Sequence, residues 1–271
     1  MLSPMMDVTA RVLRVFTRDG VGGNHLGFVD VLDGLDTNSM HATAAALGYA
    51  ETVFVDSNET PPYVRIFTPG QELPFAGHPL VGTAWMWLTQ DGVETDRLRC
   101  GIGEVRIGLT DDTATWIEAE IDPANARSID LADYAIRGGL PEPSRSWRVV
   151  LPKEYAILEY SDVSDVATAS PDAEVMKERF GTMVVARTPG GARVRFFAPD
   201  AGVFEDAATG SAAVALATAL VHDGETDGEL VIHQGEEMGH PSRIELSWTP
   251  TTAIIGGSCA LEAPRTVSIG Q

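Results

Sequence analysis

The chain predicts an α+β fold of two similar domains, each a mostly antiparallel sheet wrapped around one hydrophobic helix. Three observations carry that reading. The phrase Val64-Arg65-Ile66-Phe67-Thr68-Pro69 returns as Val194-Arg195-Phe196-Phe197-Ala198-Pro199, and 194 − 64 = 130 residues is close to half of the 271-residue chain. Each copy runs into an uncharged, glycine-led segment, beginning at Gly77-His78 in the first half and at Gly210-Ser211 in the second. Short β-branched runs broken by turn residues fill most of the remainder. Solenoid repeats are roughly 20–50 residues long, so a repeat of this size implies two domains. Their expected bounds are 1–122 and 123–271, with Asp122-Pro123 as the break and the last strand able to cross back to the first domain.

In the first half, Ala10–Phe16 alternates as a strand, Gly20–Asn24 turns, and Leu26–Leu32 is a second strand candidate. Alanine-rich Thr37–Leu47 is a helix, with Ser39 as a cap candidate and Gly48 as its stop. Glu51–Asp56 and Tyr63–Phe67 are strands. Pro79–Leu88 is apolar nearly all round, so a helix here has to be enclosed on every side. Strands follow around Leu98–Leu109 and Thr115–Ile121.

The second half repeats the plan. Trp147–Leu151, Tyr155–Glu159, Met183–Arg187 and Ala192–Phe197 are strands. Pro171–Phe180 has proline at its start and Gly181 after its end, the asymmetry of a helix. Gly210–Val221 is the second uncharged helix, and Glu229–His233, Arg243–Trp248 and Thr252–Ile255 close the half as strands.

Composition narrows the function. The net charge is −20, and only Lys153 and Lys177 are lysines, so 19 − 2 = 17 of the basic residues are arginine. Nucleic acid and anionic membrane both need a basic surface, so neither is an expected partner. The acidity fits solubility or life in high salt, where self-repulsion is screened. Met1–Arg11 lacks the basic start and apolar run of a secretion signal, and Leu73–Gln90 is too rich in Pro, Gly, His and Gln for a membrane span. A cytoplasmic protein is expected. Cys100 and Cys259 are too few for a disulfide framework or structural zinc site, and no glycine-rich phosphate loop follows any strand.

Three acid–base groups stand beside the junctions of the repeat. His78 follows Gly77 at the first helix start, Asp206 precedes the second in Glu205-Asp206-Ala207-Ala208-Thr209-Gly210-Ser211, and Glu51 opens a strand after Gly48-Tyr49-Ala50. Thr182 and Met183 occupy the corresponding place in the second half, so Glu51 belongs to one half alone. Helix starts carry unpaired N–H groups and the positive dipole end, which attract carboxylate or enolate-like oxygens. A carboxylate withdrawn from water has its pKa raised, which suits a general base. Residue type alone leaves blander uses open. Glu51 could be a solvated strand end, Asp206 a helix cap and His78 a satisfied core histidine.

Taken together, Gly23-Asn24-His25-Leu26-Gly27-Phe28-Val29, Glu51-Thr52-Val53-Phe54-Val55, Arg65-Ile66-Phe67-Thr68-Pro69, Glu72-Leu73-Pro74-Phe75-Ala76-Gly77-His78-Pro79, Phe197-Ala198-Pro199, Glu205-Asp206-Ala207-Ala208-Thr209-Gly210-Ser211-Ala212 and Gln234-Gly235 resemble the PhzF-like (phenazine biosynthesis isomerase-like) family of the diaminopimelate epimerase-like fold. The resemblance implies pseudo-symmetric barrel-around-helix domains with the site in an interdomain cleft. It implies an isomerase with no metal and no organic cofactor, working as a homodimer on a small cyclic or unsaturated carboxylate. Glu51 then shuttles the proton, and His78 and Asp206 are the other catalytic residues. Asn24, Gly77, Thr209, Gly210 and Ser211 bind the substrate. The sequence departs from the family pattern at His25 and Ala207, where proline is usual, and at His240, commonly arginine. Two-cysteine racemisation is not expected, because neither cysteine lies near the junctions. A non-catalytic acid-binding protein of the same fold, or a hydrolase using Ser211, are the competing readings.

Overall fold

The structure, a computed structural model, describes residues 5–30, 34–110, 114–179 and 181–270. The expected strand end at Leu32, the expected helix end at Phe180 and the first residues of the Met1–Arg11 segment lie outside the described residues. The chain separates into two compact α+β units. The first comprises Met1–Gly20, Asn24–Ile117 and Gly257–Gln271, and the second Val21–Gly23 and Glu118–Gly256.

Unit 1 opens with β1 (Met5–Thr17) and β2 (Asn24–Asp30), an antiparallel pair. Helix α1 (Thr37–Leu47) then carries the chain to β3 (Glu51–Asp56), which runs parallel to β2 with Leu26 opposite Glu51. Parallel neighbours need such a crossover, because a hairpin cannot join them. Asp36, not Ser39, caps α1: its carboxylate accepts from the Ser39 N–H at 2.8 Å, and Gly48 stops the helix in the left-handed conformation. Strands β4 (Tyr63–Phe67) and β5 (Glu72–Leu73) follow antiparallel.

Helix α2 (Gly77–Trp85) comes next and extends into a π-helical stretch over Met86–Asp91. The start is two residues earlier than Pro79, since proline needs no N–H partner in a first turn and fits inside it. Residues 77–84 are all buried, and the helix packs against β1, β2, β3 and strand β7 (Gly103–Leu109), which follows β6 (Arg97–Cys100). Gly82 permits the approach: a Cβ there would lie 2.6 Å from the Leu26 side chain and 2.7 Å from Val15. Strand β8 (Thr115–Glu120) pairs antiparallel with β7.

Unit 2 repeats the order. Short β9 (Ala126–Ser128) and α3 (Ala132–Arg137) lead to β10 (Arg145–Leu151) and β11 (Lys153–Tyr160), an antiparallel pair. Two short helices, α4 (Val163–Ala167) and α5 (Ala173–Met176), carry the crossover to β12 (Gly181–Thr188), parallel to β11. The helix expected over Pro171–Phe180 is thus one turn, capped by Asp172, because Lys177–Arg179 turn away. Strands β13 (Gly191–Ala198) and β14 (Val203–Asp206) precede α6 (Gly210–His222), buried everywhere except at Ser211 and His222. Strands β15 (Gly228–Gln234) and β16 (Ser242–Trp248) follow, and β17 (Thr252–Gly270) closes the chain.

Strand β17 is far longer than the expected Thr252–Ile255. Its first residues pair antiparallel with β16 in unit 2, and from Ser258 onward it pairs with β1 in unit 1. The later stretch hides from a hydrophobic reading because Leu261–Thr266 is exposed or half-buried and holds Glu262, Pro264 and Arg265.

The duplication is closer in register than in sequence. Thr52 faces Phe67 in unit 1, and Thr182 faces Phe197 in unit 2, both displaced by 130. The repeated arginines do the same work. Arg65 forms a two-pronged bond to Glu72 at 2.7 and 2.6 Å, and Arg195 binds Glu205 at 2.8 Å through each prong. Each guanidinium also lies 5.0 Å from the ring of the phenylalanine two residues on, Phe67 or Phe197.

Candidate active site

Glu51 is the first residue of β3 and His78 the second of α2, which packs on that strand. Their side chains meet, with His78 Nδ1 3.3 Å from Glu51 Oε2. The imidazole is 4% exposed and the carboxylate 17%. Burial pushes the imidazole down to about 3, against the opposing pull of a hydrogen bond to the His25 backbone. His78 is therefore neutral across the physiological range. A neutral ring has one proton, and the hydrogen bond to the His25 backbone places it on Nδ1. Nε2, which has no protein partner among the described residues, is left as a buried lone pair.

The register corrects the expected counterpart of Glu51. Because Thr52 matches Thr182, Glu51 matches Gly181, not Thr182 or Met183. A Cβ at Gly181 would lie 2.2 Å from Phe196 Cζ, so an aromatic ring fills the place of a side chain there. The carboxylate is thus excluded from unit 2 by packing.

Gly77 opens α2 behind Ala76, which supplies no capping side chain. Pro79 contributes no N–H, so the donors of this first turn come from its neighbours. Asn24 is buried at the start of β2, one residue before the His25 backbone that holds His78.

In unit 2, Asp206 ends β14, and Thr209, not Asp206, takes the N-cap position of α6. Asp206 Oδ2 accepts from Thr209 Oγ1 at 2.6 Å. Gln234, the last residue of β15 and 1% exposed, completes the group. Its Nε2 donates to the Asp206 carbonyl at 2.7 Å and to Thr209 Oγ1 at 3.0 Å, while its Oε1 accepts from the Thr209 N–H at 3.2 Å. Thr209, expected to bind substrate, thus has both its hydroxyl and its amide engaged within the protein. Gly210 and half-buried Ser211 form the first turn of α6, with Ser211 at the helix position that His78 takes in α2. Gln234 drew attention in the sequence only as part of a phrase. Its signal was alternation, since Leu230, Ile232 and Gln234 share the buried side of one strand.

Among the described residues no cluster of His, Cys, Asp and Glu could hold a metal ion, and no helix is long and apolar enough to cross a membrane. Residues 13–257 match the family described as phenazine biosynthesis-like protein. The chain belongs to this family. An uncharacterised isomerase of Mesorhizobium japonicum is 34% identical over 270 residues, covering 87% of this chain and 88% of that protein. The trans-2,3-dihydro-3-hydroxyanthranilate isomerase of Pseudomonas aeruginosa is 31% identical over 257 residues, covering 86% and 87%. A PhzF-family protein of Bacillus anthracis superposes with a TM-score of 0.80 at 22% identity, over 97% of this chain and 99% of that one. The fold is thus that of the phenazine biosynthesis-like proteins, and the activity class is that of a small-molecule isomerase.

Proposed function

We propose that the protein moves a proton between carbons of a small cyclic or unsaturated carboxylate without a cofactor, with Glu51 as the acid/base. The observation that carries this is the contact between Glu51 and a neutral His78. A cationic neighbour would stabilise the carboxylate and weaken it as a base, whereas a neutral imidazole beside it leaves it basic. Partial burial limits its hydration without sealing it from a ligand. The reaction has two proton steps. Glu51 takes a proton from one carbon, the electron pair passes into the conjugated system, and the protonated Glu51, able to exchange with solvent, delivers a proton to another carbon. The α2 start favours the negative charge that develops between those steps.

In this reading Asp206 and Ser211 serve as proton partner and donor to the substrate, in the cleft between halves that the duplicated sequence implies. The relatives named for trans-2,3-dihydro-3-hydroxyanthranilate make that compound the first one to test. Incubation in deuterated solvent, followed by mass spectrometry and NMR, reads both isomerisation and carbon-bound deuterium. Turnover that falls about 10³-fold in Glu51→Gln supports the assignment. Undiminished turnover in that variant removes Glu51 from the role.

A further inference from the structure

The repeat supplies an internal control for the polar group at the entry to α6. Each unit has a short strand, a turn and then its buried helix. In unit 1 the strand ends at Leu73 and Ala76 is the N-cap of α2. In unit 2 Asp206 and Thr209 hold those places, each three residues further on than the 130-residue register, since 206 − 73 = 133 and 209 − 76 = 133. The strand beyond the helix matches too. Arg99 pairs in parallel with Tyr63, and His233 with Arg193, so the next residues, Cys100 and Gln234, correspond. Leu73, Ala76 and Cys100 build the same turn without a carboxylate, hydroxyl or amide in those places. Folding the turn therefore does not require the polar trio. Asp206, Thr209 and Gln234 are a local replacement that the architecture alone does not explain.

The trio has a definite proton order. Gln234 Nε2 donates twice, to the Asp206 carbonyl and to Thr209 Oγ1, and its Oε1 accepts the Thr209 N–H. A hydroxyl has one proton. With Gln234 donating to Thr209 Oγ1, that proton points to Asp206 Oδ2, 2.6 Å away. Reversing the amide would set its NH₂ against the Thr209 N–H and its oxygen against the Asp206 carbonyl, so the orientation is locked. Gly235, with φ at +76°, brings the end of β15 against Ala207, where a Cβ would lie 2.6 Å from the Ala207 carbonyl oxygen. Only a residue without a side chain lets Gln234 reach across.

We propose that Gln234 is a positioning residue that acts through Thr209: it aims the threonine proton at Oδ2 of Asp206 and so holds that oxygen as an acceptor in a set orientation. This rests on the reading of Asp206 as a proton partner in the isomerisation. The amide does not touch substrate.

The test follows the Asp206 carboxyl directly. Protein labelled with ¹³C at aspartate carboxyls is titrated by NMR, and Asp206 is assigned by its loss in Asp206→Asn. Thr209→Val and Gln234→Leu are expected to raise the Asp206 midpoint by about one pH unit, because a donor to the charged form is lost. Thr209→Ser keeps the oxygen and stays with the wild type. In deuterium exchange of trans-2,3-dihydro-3-hydroxyanthranilate, Thr209→Val lowers kcat about tenfold with KM within twofold, and Thr209→Ser restores it. A folded Thr209→Val protein with an unmoved midpoint overturns the inference, and if Gln234→Leu fails to fold, the Thr209 pair decides. Raised midpoints in the two variants, together with a wild type that exchanges no proton, sink the isomerase reading and leave the orientation of Asp206 standing. Glu51-dependent exchange with an unmoved midpoint does the reverse.

Discussion

His78 Nδ1 stands 3.3 Å from Oε2 of Glu51, yet burial keeps the imidazole uncharged down to about pH 3. The carboxylate thus has an uncharged imidazole beside it, whose hydrogen bond is to the His25 backbone. A neutral ring in that place leaves the carboxylate its basicity, which a lysine or arginine would reduce. His78→Phe retains the ring volume and removes the polar nitrogen beside Glu51. Solvent exchange is expected to fall about 10²-fold, with the melting temperature held within a few degrees.

The same burial makes stability depend on pH. An unfolded His78 takes up a proton near 6.5, while the folded one resists it to about 3. Its contribution is complete above pH 6.5 and is lost progressively as pH falls, by ~1.4 kcal/mol per unit once well below 6.5. Urea unfolding of wild type and His78→Gln at pH 7, 6, 5 and 4 separates this from the carboxylates. The wild-type slope is expected to be the steeper, and parallel slopes contradict the assignment.

Arg65 and Arg195 occupy equivalent places but different depths. The pair Arg65–Glu72 is 25% and 37% exposed, whereas Arg195–Glu205 is 9% and 11% exposed. Arg195 also donates to the Ala169 carbonyl. Removing an arginine from a buried pair strands a charge and costs about 3–5 kcal/mol, while an exposed pair contributes ~0–1 kcal/mol. Arg195→Met is thus expected to destabilise several times more than Arg65→Met by chemical denaturation. Equal losses would mean that the depth difference carries no energetic weight.

At Gly181 the ring of Phe196 already fills the side-chain space. Gly181→Ala is expected to cost about 1–3 kcal/mol through overpacking. Phe196→Leu should relieve most of that cost when combined with it, which a double-mutant cycle measures.

Much of the fold was readable from residue pattern because each half carries strong local signals. Short β-branched and aromatic runs marked Glu51–Asp56 and Tyr63–Phe67 at their observed limits, and Gly48 marked the end of α1, while its cap proved to be Asp36 and not Ser39. Short elements escaped. Ala132–Arg137 and Val163–Ala167 are too brief to show a period, and the late part of β17 has few buried residues to mark one face. Of the site, Glu51, His78 and Asp206 were visible as titratable groups at repeat junctions. Their partners were not: which atom of His78 meets Glu51, and that Gln234 holds Thr209, depend on register set by long-range pairing.

The double engagement of β17 has a consequence for synthesis. Residues 5–117 include β1 and its neighbour β2 but lack its second antiparallel neighbour, which arrives as Ser258–Gly270. A ribosome that has finished unit 2 has still not delivered the strand that unit 1 awaits. The half made first is completed last, so a fragment ending near Ile117 should stay an open, chaperone-seeking sheet.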